Sequence, residues 1–235
     1  MDIVQEKYLL FFQKEYKKIL INPQSKYACV IVEPRLHPNL EFVIKNVLFF
    51  LPNFSLYIFH SNENKKFVEE IIGHNLSNVH FHNFTSGNIT IEEYNELLTS
   101  PYFYETIHAE DILIFQTDSY IRKSGIECFL EYNFAMIGAP WHWYDAAKPQ
   151  GGNGGFCFRK KDLMLNIIKH APFDKTCNED YYFHKGCLEL GYLLPTKEIS
   201  QFFSMETIYC ENSYAIHKAW YYIPEKDFNS INLEI

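Results

Sequence analysis

Apolar positions in the first half of the chain follow two alternating rhythms. Ile3 to Leu20 carries Val4, Tyr8, Phe11 and Phe12 at helical intervals, and "NPQS" breaks the pattern, which predicts an N-terminal helix. "YACVIVEP" is a continuous apolar run closed by Pro34, as expected of a buried strand, and Leu40 to Phe50 then reads as a helix stopped at Pro52. The same alternation recurs as strand "FSLYIFHS", helix "ENKKFVEEIIG", strand "NVHFHNF", helix "TIEEYNELLTS" and strand "DILIFQTD". Short connections between alternating elements predict right-handed β-α-β units, and hence a mainly parallel central sheet flanked by helices.

Beyond Asp118 the rhythm changes. "FAMIGAPWHWYD" leads to the glycine-rich "QGGNGG", a short strand "GFCFRK", a helix from Lys161 to His170, a second helix in "NEDYYFHKGCLELG", and a tail rich in Tyr, Trp and His. No repeat or low-complexity linker separates the two parts. The expectation is one α/β domain over 1–235, with a nucleotide-type half at 1–118 and an acceptor or catalytic half at 119–235 packed on the same sheet.

Composition narrows the functional classes. The chain has 235 residues, 47% of them hydrophobic, enough for a sizeable core. No apolar run approaches the ~20 residues of a membrane-spanning helix, and the charged start "MDIVQEKYLLFFQKEYKK" has no apolar signal region. A cytoplasmic protein without a membrane span is the expectation. A net charge of −8 argues against nucleic acid or anionic lipid as partner, since both call for basic patches. Any anionic substrate must be held locally. The six cysteines (Cys29, Cys128, Cys157, Cys177, Cys187, Cys210) form no C-x-x-C pair, so free thiols are expected, with no zinc site from cysteine. The four N-x-[ST] triplets, at Asn53, Asn75, Asn83 and Asn88, carry no weight without an export signal.

Four features carry candidate chemistry. Asp118 ends an apolar strand, where open parallel sheets bind ligands, although a strand-terminal Asp also commonly caps a turn. Gly151, Gly152, Gly154 and Gly155 crowd into five residues before a strand; such backbone approaches a ligand closely or forms a surface hairpin. The run matches neither G-x-G-x-x-G nor a phosphate-binding P-loop, which disfavours nicotinamide and ATP sites. Glu179 and Asp180 stand at a helix start, a favoured place for carboxylates and also one from which a general base can be presented. His217, in an aromatic tail, is either a packed residue or a metal ligand. His80 and His82 share a strand face with no third partner and are left as surface or core histidines.

In this order the features resemble the GT-A class of nucleotide-sugar-dependent glycosyltransferases. More narrowly, "LIFQTDSYI", "MIGAPW", "GGNGGFCFR", "NEDYYF" and "FSME" followed by "HKAW" look like the glycosyltransferase-like family DUF5672. The resemblance implies a DxD-type motif at Gln116, Thr117 and Asp118, with Gln116 in place of the first acid. It implies a donor loop including Gly154 and Gly155, a catalytic pair Glu179 and Asp180 with Asp180 as base, and His217 as a metal ligand beside Asp118. A divalent cation, Mn²⁺ or Mg²⁺, would then offset the charge of a donor diphosphate.

The expected function is sugar transfer from a nucleotide-sugar donor to a glycan or other hydroxyl acceptor, metal-assisted and inverting. Trp141 and Trp143 are candidates for lining the acceptor cleft. The alternative is a protein of the same fold that binds nucleotide sugars or glycans without turnover. A dinucleotide-dependent oxidoreductase is a more distant rival, lacking its fingerprint.

Overall fold

The computed structural model describes residues 2–224, 227 and 232–235. In chain order the elements are α1 (Asp2–Tyr16), β1 (Tyr27–Val32), α2 (Leu40–Phe50), β2 (Ser55–Ser61), α3 (Lys65–Ile72), β3 (His80–Thr85), α4 (Ile91–Leu98), α5 (Pro101–Thr106), β4 (Asp111–Phe115) and β5 (Ser119–Ile121). They continue with α6 (Glu127–Leu130), β6 (Met136–Ala139), β7 (Asn153–Lys160), α7 (Lys161–His170), α8 (Glu179–Glu189), α9 (Lys197–Phe203), β8 (Ser204–Met205) and β9 (Ala215–His217). Among the described residues the strands form a six-stranded sheet of order β3-β2-β1-β4-β7-β6 and a three-stranded sheet of order β5-β9-β8. In the large sheet β3, β2, β1 and β4 run parallel, and β7 is antiparallel to both β4 and β6. The α/β architecture expected from the apolar rhythm is the one observed.

Burial explains why β1 reads as an uninterrupted apolar run. Its side chains alternate between faces, and both faces are covered. Cys29 and Ile31 join a core with Phe12 of α1 and Phe42, Val43 and Val47 of α2. Ala28, Val30 and Val32 join the opposite core with Phe103 and Tyr104 of α5 and Met164 of α7. Local signals fix the helix starts near the site. Thr90 and Glu93 form a reciprocal capping box at α4, and Ser100 caps α5 ahead of Pro101.

Two sequence expectations need correction. The strand expected over 111–118 stops at Phe115, and Gln116 to Asp118 form a turn closed by Ser119, whose hydroxyl donates to the Gln116 carbonyl at 2.8 Å and accepts the Gln116 N–H at 3.1 Å. The expected loop at Gly154 and Gly155 is instead the beginning of β7, which starts at Asn153; β-pairing with β4 and β6 absorbs the glycines into the sheet. The small second sheet and the short helix α5 had no clear periodic signal.

Chain order places a topological switch between β1 and β4, since β2 and β3 lie on one side of β1 and β4 on the other. The carboxyl ends of strands diverging in this way leave a crevice between them. No helix of the described residues is long and apolar enough to cross a membrane.

Candidate functional site

A cleft of about 470 Å³ opens at this switch point. Val32 at the end of β1 and Glu33 to Arg35 beyond it enter the cleft, and Gln116, Thr117 and Asp118 follow β4. Gly154 and Gly155 enter from the start of β7, Glu179 and Asp180 from the first turn of α8, and His217 from the end of β9. The cleft thus brings together Gln116, Thr117, Asp118, Gly154, Gly155, Glu179, Asp180 and His217 from four separate chain segments, whereas Gly151, Gly152, Trp141 and Trp143 do not line it. Tyr94 and Asn95 of α4 form part of another wall.

Asp118 sits in the turn that the Ser119 hydroxyl closes. Its Oδ1 is buried without a hydrogen bond and lies 3.4 Å from Nε2 of His217. Two pieces of backbone fix this approach: β5 and β9 pair Ser119 with His217, and the Lys218 N–H donates to the Asp118 carbonyl at 2.8 Å. Desolvation pushes the Asp118 carboxyl up, but His217 and Lys218 more than offset it, and the net shift is downward. On its other side His217 presents Nδ1 at 3.5 Å from Oε1 of Glu206. Burial raises the Glu206 carboxyl, against the pull of His217.

Gln116 donates its side-chain amide to the Tyr94 hydroxyl at 2.9 Å. The position that would carry the first acid of a DxD motif is thus occupied by a neutral amide tied to the cleft wall. The Thr117 carbonyl accepts from Asn39 at 3.2 Å.

The paired acids of α8 have different environments. Glu179 is buried and its Oε2 meets the guanidinium of Arg159 at 2.6 Å. Arg159 is itself wholly buried, donates to the Tyr104 hydroxyl at 3.2 Å and lies over the Phe183 ring. Burial raises the Glu179 carboxyl while Arg159 pulls it down. Asp180 accepts the N–H of Gly154 at 3.2 Å through Oδ2 and the N–H of Tyr181 at 2.7 Å through Oδ1. Burial raises its pKa, and these two amide bonds oppose the rise. The result is a carboxylate held in one orientation with elevated basicity. The free N–H of Glu179 is capped by Asn95 of α4 at 3.1 Å, not by a side chain of its own helix.

The glycines have a steric explanation. A Cβ on Gly154 would lie 2.1 Å from Oε1 of Glu179, and one on Gly155 would lie 2.1 Å from Nε2 of His217. Both residues lack side chains because catalytic-candidate side chains occupy that space. Gly152, at φ +78°, makes the turn into β7.

A second chamber of about 410 Å³ adjoins the first. Asn153, Asn178, Asp180, Glu206 and Tyr222 line both. Its far wall holds Trp141 and Trp143, stacked with centroids 5.3 Å apart and planes at 22°, and Tyr181. Trp141 is buried, whereas Trp143 is 58% exposed. Behind them His184 accepts the Gly151 N–H at 3.3 Å, and burial lowers its pKa to about 4. His80 and His82 are remote from both chambers; their rings stack on Tyr57 and Phe59.

Sequence reading missed Arg159, Tyr94 and the Glu33–Arg35 pair. Arg35 binds Glu33 through two side-chain contacts, at 2.8 and 2.7 Å, at the rim of the cleft. The available signals were an Arg inside the apolar run "GFCFRK" and a Glu that ends "CVIVEP" much as Asp118 follows "DILIF".

The fold is GT-A-like. A family model described as "Protein of unknown function (DUF5672)" matches residues 77–219, and the chain belongs to that family. Among solved structures, the apo form of mouse xyloside xylosyltransferase 1 is similar with a TM-score of 0.52 at 10% identity, over 84% of this chain and 99% of that one. The apo-form glycosyltransferase GlyE of Streptococcus pneumoniae TIGR4 is similar with a TM-score of 0.51 at 10% identity, over 86% of this chain. The match covers 55% of GlyE, so this chain spans little more than half of that protein's length. At such identity the likeness is one of fold alone. No curated protein matches the sequence.

Proposed function

We propose that the protein is a glycosyltransferase that moves a sugar from a nucleotide-sugar donor to a hydroxyl acceptor, assisted by a divalent cation and inverting the anomeric centre. The observation that carries this reading is the convergence of Gln116 to Asp118, Gly154, Gly155, Glu179, Asp180 and His217 on one cleft at the switch point of the sheet. In this reading residues 1–118 supply most of the donor side and 119–235 most of the acceptor side.

The charge balance of the cleft supports a cation. Glu33 is neutralised by Arg35 and Glu179 by Arg159, leaving Asp118, Asp180 and Glu206 facing Lys218 and His217. A diphosphate entering such a site meets net negative charge. Asp118 Oδ1 and His217 Nε2, both buried and without hydrogen bonds, are close enough to hold one small cation between them. Among the described residues no group of three or more His, Cys, Asp or Glu is placed to hold a metal. Two protein ligands suit Mg²⁺ or Mn²⁺ of the kind that takes its remaining ligands from substrate phosphates and water. When bound, the cation supplies a Lewis acid for charge developing on the leaving diphosphate.

Asp180 lies where the two chambers meet, which is the position required of a base. The acceptor oxygen attacks the anomeric carbon, the bond to the diphosphate oxygen breaks, and the acceptor's proton passes to Asp180. Trp143 offers an exposed aromatic surface to the acceptor. A cytoplasmic location belongs to the same reading, supported by six free cysteines, whose thiols suit a reducing compartment.

A panel of nucleotide sugars with Mn²⁺, read as nucleotide-diphosphate release and as transfer to glycoside acceptors, tests the proposal. Turnover of one donor supports it. Binding of a donor without release or transfer would favour the second reading, a non-catalytic binding protein, which the commitment of Gln116 to Tyr94 supports.

A further inference from the structure

His217 sits between two carboxylates and can give a proton to only one of them while neutral. Nε2 lies 3.4 Å from Asp118 and Nδ1 3.5 Å from Glu206, and both ring nitrogens are buried without a hydrogen bond of full geometry. A neutral imidazole has one N–H and one lone pair. Which nitrogen carries the hydrogen decides whether His217 can act as a ligand on the Asp118 side.

The surroundings of the two acids differ. The Asp118 side chain is 30% exposed to the cleft, whereas that of Glu206 is 6% exposed. A buried carboxylate lacking a donor is costly, while one open to the cleft has water or ligand available. Among the described residues His217 is the ion-pair partner that Glu206 has. The backbone enforces the pairing, since parallel β8 and β9 set Met205 beside Ile216, and the residues that follow them are Glu206 and His217.

We propose that Glu206 is a positioning residue that accepts the Nδ1–H of His217 and thereby leaves the Nε2 lone pair directed at Asp118 and the donor diphosphate. An imidazole that ligates a metal through one nitrogen commonly donates the other N–H to a carboxylate, which fixes its tautomer and ring orientation. Glu206 has this relation to His217, and the inference rests on the proposed metal-assisted reading for its consequence though not for its geometry. The same contact accounts for the acid of "FSME", since Glu206 acts through His217 and does not itself touch the cation.

Two measurements on the full chain test it. The first is an imidazole ¹H–¹⁵N long-range correlation spectrum of the protein with Mg²⁺ and uridine diphosphate, with His217 assigned by comparison with His217→Gln. The expected spectrum shows Nδ1 protonated and Nε2 bare, and Glu206→Leu moves the proton to Nε2. The second is an electron paramagnetic resonance titration of Mn²⁺ in the presence of uridine diphosphate. Glu206→Leu is expected to bind about 10–100-fold more weakly, the usual consequence of losing such a partner. Glu206→Gln, whose amide oxygen still accepts from Nδ1, stays within a few-fold of wild type. A proton on Nε2 in wild type, or an imidazolium with both nitrogens protonated, overturns the proposal. So does a Glu206→Gln loss as large as that of Asp118→Asn, which would make Glu206 a direct ligand. If Glu206→Leu does not fold, the wild-type spectrum and Glu206→Gln decide. Absence of Mn²⁺ binding by wild type overturns the metal-assisted reading and this inference with it, whereas Mn²⁺ binding with a bare Nδ1 overturns the inference alone.

Discussion

Gly155 and His217 are packed so closely that a single methyl group has no room between them: a Cβ on Gly155 would stand 2.1 Å from Nε2. The backbone at Gly155 is not in the left-handed region, so the requirement for glycine is one of space and not of conformation. Gly155→Ala must push the imidazole aside, because the glycine lies within the central sheet and cannot retreat. Overpacking of this kind costs about 1–3 kcal/mol. The expected outcome is a folded protein of lowered stability with weakened Mn²⁺-supported binding of uridine diphosphate, read by denaturant titration and calorimetry. Wild-type affinity in the alanine variant would remove His217 from the donor site.

Asp118 is the carboxylate on the Nε2 side of His217 and reaches the cleft just after β4. Asp118→Asn keeps a carbonyl oxygen but removes the charge, so affinity for uridine diphosphate with Mn²⁺ should fall while affinity without metal changes little. Calorimetric titration with and without Mn²⁺ separates these. Equal metal dependence in both proteins would take Asp118 out of the metal site.

The α/β fold was legible because both faces of β1, β2 and β4 are covered, which writes continuous apolar runs into the sequence, and because helices α2 and α7 have sharp boundaries at Pro52 and at the end of β7. The cleft residues were visible where a polar group interrupts such a run or where glycines cluster. Arg159 was not, since a buried cation announces itself only through a partner, and Glu179 is twenty residues away in sequence but 2.6 Å away in space. Antiparallel β7, the short strands of the second sheet and the Glu206–His217 contact depend on long-range pairing that has no local periodicity.

Arg159 and Glu179 form an ion pair wholly inside the protein. Removing one partner strands the other charge, and Arg159→Met is expected to cost about 3–5 kcal/mol in denaturant unfolding. The double replacement Arg159→Met with Glu179→Gln should recover much of that loss. If the single and double variants are equally unstable, packing around Met, not a stranded carboxylate, is responsible.

His184 gives the wall behind the aromatic chamber a pH dependence. Burial lowers its folded-state pKa from 6.5 to about 4, so between these values the unfolded chain binds more protons than the folded one. Stability from this group is fully present above pH 6.5, declines as pH falls through the window, and is lost below about 4. The shift corresponds to at most about 3 kcal/mol. Unfolding free energies of wild type and His184→Gln, measured from pH 7 to pH 4, should converge or cross as acidity increases. Parallel curves would show that His184 does not titrate in this window.

Asp180 provides the most direct test of chemistry. It borders both chambers, and the N–H groups of Gly154 and Tyr181 hold its two oxygens. Burial raises its proton affinity, which favours accepting a proton from an acceptor hydroxyl near neutral pH. Asp180→Asn retains an oxygen acceptor for one of the two amides and preserves the side chain's size, so the fold and donor binding should survive. Loss of a positioned general base lowers the rate by about 10²–10⁴-fold. A residue that only satisfies the first turn of α8 predicts a different result, because Asn serves a helix N-terminus well and activity would persist. Steady-state kinetics of the variant, with donor affinity measured separately, distinguish the two roles, and near-wild-type turnover eliminates Asp180 as the base. The anomeric configuration of the product tests the mechanism independently. A base on the acceptor side that assists one direct displacement yields inversion, and a nuclear magnetic resonance spectrum showing the donor's configuration retained would reject that single step even if Asp180 proves essential.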